Sequence, residues 1–141
     1  MRRRHPSDTN VIKDAIQAKV REIVMLRDGG CIARNEPWHT CNGYANDGHL
    51  ILQADHLITR ANSATYAFTP LLVCVCKGLH GWKRWNEAEY NRRIRALLSP
   101  ERVALWDRAN AARYQATRKF TSDWRLELAA LEQELAQLRR G

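Results

Sequence analysis

The sequence predicts an α+β fold: a small ββα core with a knuckle-like loop, flanked by N- and C-terminal helices. Three observations predict it. Apolar residues recur at helical spacing near both ends, at Ile12, Ile16, Val20 and Ile23, and again at Trp124, Leu128, Leu131, Leu135 and Leu138. Two short strand-like runs lie between them, Leu50-Ile51-Leu52-Gln53-Ala54 and Leu71-Leu72-Val73-Cys74-Val75-Cys76. Residues 31–48, before the first run, are rich in Pro, Gly, Asn and Asp and follow no period. At 141 residues, 45% hydrophobic and 27% charged, the chain is globular in composition and long enough for one compact domain with a short appendage.

The elements follow in order. Residues 1–9 read as a flexible basic arm in which Arg2, Arg3 and Arg4 either bind phosphate or form a disordered basic tail. Asn10 can cap a helix beginning at Val11, and Gly29-Gly30 ends it. The core with this helix is expected over 10–98, and a helical extension over 99–141. Between the strands, 57–70 is a polar connection closed by Pro70. Cys74 and Cys76, two apart on a strand, are expected on one face. Beyond them Trp82, Trp85, Tyr90, Ile94 and Leu97 supply apolar surface, and Trp82, Trp85 and Trp106 are expected in the core. Ser99-Pro100-Glu101 is a helix start, with Ser as cap, Pro at the first position and an acid in the first turn. Leu105, Ala109, Ala112 and Ala116 give that helix a thin apolar face. Thr121 or Ser122 can cap a last helix, whose leucine stripe either packs on the domain or forms a homodimer.

Charge points to a partner. The chain carries 23 Lys+Arg against 15 Asp+Glu, a net of +8. Residues 77–120 alone hold a net of +7, while 31–76 hold −1. A polyanion, above all DNA, is the partner such clustering implies, because neutralising phosphates releases counterions. No apolar run approaches the roughly 20 residues of a membrane span, and no apolar stretch follows the basic start. A cytoplasmic protein without a membrane partner is therefore expected. In a reducing compartment Cys31, Cys41, Cys74 and Cys76 read as metal ligands before they read as disulfides. The loop around Cys31 and Cys41 has few apolar residues to bury them as plain thiols.

The informative stretch runs from Cys31 to Lys83. It holds the cysteines, the adjacent Asp55-His56 after the first strand, and His80 after the second. Strand, turn, strand and helix can bring one carboxylate and two imidazoles together. That set suits metal-assisted phosphodiester hydrolysis, with an imidazole as base near neutrality and a carboxylate–imidazole pair as ligands for a hard cation. Lys77, Lys83, Arg84, Arg92, Arg93 and Arg95 would bind flanking phosphates.

Asp55-His56, the strand ending in Cys76, and His80 resemble the HNH endonucleases, whose core is the ββα-metal fold. Cys31-Ile-Ala-Arg34 and Cys41-Asn-Gly43 resemble the zinc knuckle of many members. The tail, through Ser99-Pro100-Glu101-Arg102-Val103, Trp106 and Lys119-Phe120-Thr121-Ser122-Asp123-Trp124, is similar to the NinG-type recombination nucleases of lambdoid phages. The resemblance implies a metal-dependent DNA endonuclease in phage DNA recombination or processing, encoded by a phage in a bacterial host. Asp55 and His80 would hold Mg²⁺ or Mn²⁺, and His56 would be the general base. Cys31, Cys41 and Cys76 would hold structural Zn²⁺, with Cys74, His39 or His49 as the fourth ligand. Two positions depart from the family pattern: Leu71 stands where it has an Asn, and Leu79 where it has a second Cys. They make a catalytically degenerate, zinc-containing DNA-binding module the alternative. A zinc-organised adaptor that contacts proteins through its last helix is a third reading, disfavoured by the basic 77–120 segment.

Overall fold

A computed structural model describes residues 8–58, 67–115 and 124–141. The basic arm with Arg2, Arg3 and Arg4, together with the Thr121 and Ser122 caps, lies outside the described residues. Among the described residues the chain is mixed α/β, with five helices and one two-stranded sheet. The helix α1 spans Asp8–Asp28, and strand β1 spans Leu52–His56. A 3-10 turn at Thr69–Leu71 leads into strand β2, Leu72–Cys76. Four helices follow: α2 at Lys77–Lys83, α3 at Glu87–Leu97, α4 at Pro100–Gln115 and α5 at Trp124–Arg140.

The strands pair antiparallel, with Leu52 opposite Cys76, Ala54 opposite Cys74 and Asp55 opposite Val73. β1 begins and ends two residues later than the apolar run suggests. Leu50 is instead held in a small bridge to Tyr44, within a turn closed by Ala45 and His49. The shift puts Asp55-His56 inside the strand, where period two sends the two side chains to opposite faces.

All five residues of β2 are buried, as its unbroken apolar run requires of a strand covered on both sides. Val73 and Val75 join Leu79, Tyr90, Ile94 and Trp106 in one core. Leu72 and Cys74 join Ile16, Val20, Ile23 and Val24 of α1, with Leu131 and Leu135 of α5, in the other. Leu131 and Leu135 of the α5 stripe are thus covered by α1 of the same chain, whereas Leu138 near its end is exposed. Cys76 does not share a face with Cys74. The strand ends there, and Cys76 becomes the N-cap of α2, its sulphur accepting from the Leu79 amide at 3.4 Å.

Side chains tie the layers together. Arg27 of α1 donates to the Thr69 and Leu72 carbonyls at 2.7 and 2.6 Å. Arg102 of α4 donates to Pro70 and Leu72, each at 2.8 Å. Asp28 accepts the Cys74 amide at 2.8 Å. At Gly29 and Gly30 φ is +70° and +134°, and α1 stops there as its sequence predicts. One tryptophan defies its expected place: Trp106 is buried and Trp82 packs against the core, but Trp85 is 81% exposed. It sits in the tight turn between α2 and α3, with Arg84 5.4 Å from its ring.

Candidate functional site

The loop after α1 folds back on β2 through one backbone hydrogen bond, Ile32 to the Cys74 carbonyl at 2.8 Å. Successive turns carry it from Cys31 to His39. Beyond Cys41, the Gly78 amide donates to the Asn42 carbonyl and the Lys77 amide to the Ile51 carbonyl, at 3.0 and 2.9 Å. These bonds bring the loop to the start of α2. Gly43 has φ +93°, and a Cβ there would lie 2.7 Å from Lys77 Cβ, so the close approach depends on glycine.

The product of this folding is a Cys3His group. The ligand atoms of Cys31, His39, Cys41 and Cys76 all lie within 4.8 Å of one another. His39 Nε2 is 3.3 Å from Cys76 Sγ and 4.0 Å from Cys31 Sγ. Zinc bond lengths at a tetrahedral angle give about 3.6 Å between sulphur and nitrogen, which those two distances bracket. The group is able to hold a metal ion such as zinc. Burial raises the Cys31 thiol, while the Cys76 and Ala33 amides pull it back. Burial, and then the neighbouring Cys31 and Cys76 sulphurs, push Cys41 up to about 12. A bound cation reverses that balance by stabilising thiolates. Burial lowers His39, keeping a neutral imidazole with a lone pair to give. Arg93 of α3 lies 4.8 Å from the Trp38 ring, which in turn adjoins His39 at 5.6 Å, so α3 buttresses the ligand.

Two expected ligands fall elsewhere. Cys74 is buried in the α1–α5 core, where burial is the first cause pushing its thiol up to about 12. His49 is exposed in the turn and pairs with Asp47. Leu79, in place of a second Cys, is buried in the other core, and His39 completes the set from the loop side. Leu71, in place of Asn, is buried too, and its carbonyl accepts the Leu57 amide at 3.0 Å. Backbone thus braces the chain immediately after His56.

The second constellation lies on the other side of α2. Asp55 is 4% exposed. Its Oδ1 is 3.3 Å from His80 Nε2 and 3.2 Å from Lys83 Nζ. Its Oδ2 accepts from Lys83 Nζ at 2.9 Å and from the Tyr90 hydroxyl at 2.6 Å. Burial works to raise this carboxyl. The His80 hydrogen bond, the Lys83 charge and the Tyr90 hydroxyl outweigh burial and hold the carboxyl below its ordinary range. Burial and the Asp55 charge raise Tyr90, so its hydroxyl stays a donor. Asp55, His56 and His80 all line one open cleft of about 560 Å³, whose opposite wall is α1. Gln53 lines it too, and its buried side-chain oxygen has no hydrogen-bond partner among the described residues.

The basic residues read as phosphate binders are largely committed within the fold. Lys83 is engaged by Asp55 and also donates to the His56 carbonyl at 3.3 Å. Arg92 and Arg93 both pair with Glu89, pulling that exposed carboxyl down to about 2 through their hydrogen bonds. Arg95 pairs with Asp107 at 2.7 Å and lies over Trp106. Arg84 lies over Trp85, while Lys77 is exposed.

Sequence reasoning overlooked two partners of Asp55. Tyr90 read as core surface, although a buried phenol requires an acceptor. Lys83 read as a phosphate ligand, although it lies one helical turn beyond His80 and so on the same helix face. No protein-family model, curated protein or solved structure matches the chain. Among the described residues, no helix is long and apolar enough to cross a membrane.

Proposed function

We propose that the chain is a metal-dependent DNA endonuclease of the HNH class that hydrolyses phosphodiester bonds, its Cys3His group holding structural zinc. One observation carries the reading. Asp55, His56 and His80 line the same cleft, on a strand pair that runs directly into a helix, with Asp55 and His80 3.3 Å apart. His56 takes the proton from the attacking water, as an imidazole near neutrality can. Asp55 and His80 offer one oxygen-rich and one nitrogen ligand to Mg²⁺ or Mn²⁺. Such an ion, when bound, supplies Lewis acidity at the phosphate and at the leaving 3′ oxygen. The donor set fits the ion once Lys83 moves aside, because the ammonium and the ion compete for one carboxylate. A role in phage DNA recombination or processing rests on the sequence resemblance.

A second reading is a zinc-containing DNA-binding module without catalysis. It is favoured by the four contacts from Lys83, Tyr90 and His80, which match the roughly four lone-pair sites of Asp55. Cleavage of plasmid, linear and branched DNA with Mg²⁺ or Mn²⁺ separates the two, with wild type beside His56→Ala and zinc content measured first. Cleavage lost in a folded, DNA-binding His56→Ala protein supports the nuclease and its base. A folded wild type that binds DNA and leaves it intact moves the conclusion to the second reading. Equal cleavage by both proteins removes His56 from the role of base.

A further inference from the structure

We infer that the α1 wall of the cleft is the phosphate-recognising surface, and that Arg21 makes its contact to the DNA backbone; this rests on the nucleic-acid reading above. Asp14, Gln17, Ala18 and Arg21 occur at i, i+3, i+4 and i+7, so one face of α1 looks across at His56 and His80. Arg21 is exposed on that face and has no hydrogen-bond or ion-pair partner among the described residues. Four of the six cations predicted to hold phosphate differ in this respect, and the other two, Lys77 and Arg84, do not line the cleft. Lys83, Arg92, Arg93 and Arg95 are each engaged by a carboxylate. Binding a phosphate through them means breaking an existing ion pair, whereas Arg21 presents a planar fork of donors that costs no such exchange. Asp14, two turns earlier on the same face, is the one acid of this wall among the described residues. It repels phosphate from that end and so sets which end of the cleft receives the backbone. The cleft then holds a phosphodiester between a guanidinium on α1 and the imidazoles of β1 and α2. Among the described residues no other Lys or Arg lines the cleft.

The test compares Arg21→Ala, Arg21→Lys and Arg92→Ala with wild type. Binding of a labelled DNA duplex is followed by fluorescence anisotropy across a salt series, and thermal melting verifies the fold. Arg21→Ala is expected to weaken binding about tenfold at low salt, as loss of one charge-assisted contact does. The slope of log K against log salt should shrink by about 0.9, one phosphate fewer. Arg21→Lys should keep the slope and lose part of the affinity, and Arg92→Ala should change little. Where the wild type also cleaves, Arg21→Ala should raise KM more than it lowers kcat. Wild-type affinity and slope in Arg21→Ala overturn the inference while leaving the nuclease reading intact. A wild type that binds through Arg21 yet does not cleave upholds the inference and overturns the nuclease. A wild type that binds no DNA overturns both.

Discussion

Replacing His39 and Cys74 in turn distinguishes the Cys3His group seen in space from the all-cysteine set suggested by the sequence. Cys31, His39, Cys41 and Cys76 have their ligand atoms within 4.8 Å of one another, and Cys74 is not among them. Changing groups that merely support a ligand costs about 10- to 100-fold in metal affinity. Loss of a ligand itself should therefore cost His39→Ala more than about 100-fold, or roughly 2.8 kcal/mol and upward. Between Cys31 and Leu50 only Cys31 and Ala33 are fully buried, with Ile32, Trp38 and Leu50 partly buried against the core, so the loop's apolar contact is limited. Cys74→Ala instead removes one fully buried sulphur from the α1–α5 core. That should cost on the order of 1 kcal/mol, and about 3 °C of melting temperature for a chain of this size. Each variant is purified with zinc, titrated with a coloured chelator, and melted with and without that chelator. The expected result is a zinc-poor His39→Ala protein whose melting no longer responds to chelator. Cys74→Ala should be slightly less stable and carry one zinc. A Cys74→Ala protein that loses zinc while His39→Ala retains it would refute the geometric argument.

Other expectations follow from the same contacts. Tyr90→Phe removes a 2.6 Å hydrogen bond to the buried Asp55 carboxylate, and should lower stability by about 1.5–3 kcal/mol in metal-free buffer at pH 7 by denaturant titration. The folded pKa of Asp55 is depressed, so this contribution is present above the unfolded value of about 3.9 and is lost as pH falls through the folded one. The Tyr90→Phe deficit should therefore shrink in acid as Asp55 is protonated, and a deficit that does not shrink there would remove Asp55 as its cause. Lys83→Met takes away the ammonium that competes for the carboxylate, and should tighten Mn²⁺ binding at least several-fold by calorimetry or paramagnetic relaxation. Unchanged or weaker Mn²⁺ binding would show that Asp55 is not the cation's ligand. Gly43→Ala would force a side chain into a φ of +93° and set its Cβ 2.7 Å from Lys77 Cβ and 3.1 Å from the Gly78 amide nitrogen, so the loop must draw back from α2. Lower melting and weaker zinc retention are expected, and wild-type values for both would refute that close approach.

The helices were legible because their signals are local. The period of Ile16, Val20 and Ile23, the Gly29-Gly30 stop and the Ser99-Pro100-Glu101 start each act within a few residues. The meeting of Asp55 with His80 was legible through order along the chain and through the resemblance. Register was not: the apolar run 50–54 has no mark that says Leu50 bridges to Tyr44 and Leu52 pairs with Cys76. That two-residue slide keeps each side chain on its side of the sheet, but it carries Asp55 and His56 into the ladder, opposite Val73 and Leu72. The fate of the charges was equally hidden. Arg95 meets Asp107 across two helices and Lys83 meets Asp55 across the core, distances no spacing rule covers. A segment with net +7 therefore read as an open basic face although many of its cations are already spoken for.

The shortness of α2 links the two constellations. Seven residues do not hold a helix by themselves in water. This one depends on its ends: the Cys76 sulphur accepting the Leu79 amide at one, and Lys83 gripping Asp55 at the other, with His80 between. A chemical event at the sulphur, whether oxidation, alkylation or metal exchange, therefore reaches the carboxylate through a single helical step. The sulphur cluster and the acid–imidazole pair cannot be tuned independently. Any engineering that alters one end of α2 must re-seat the other.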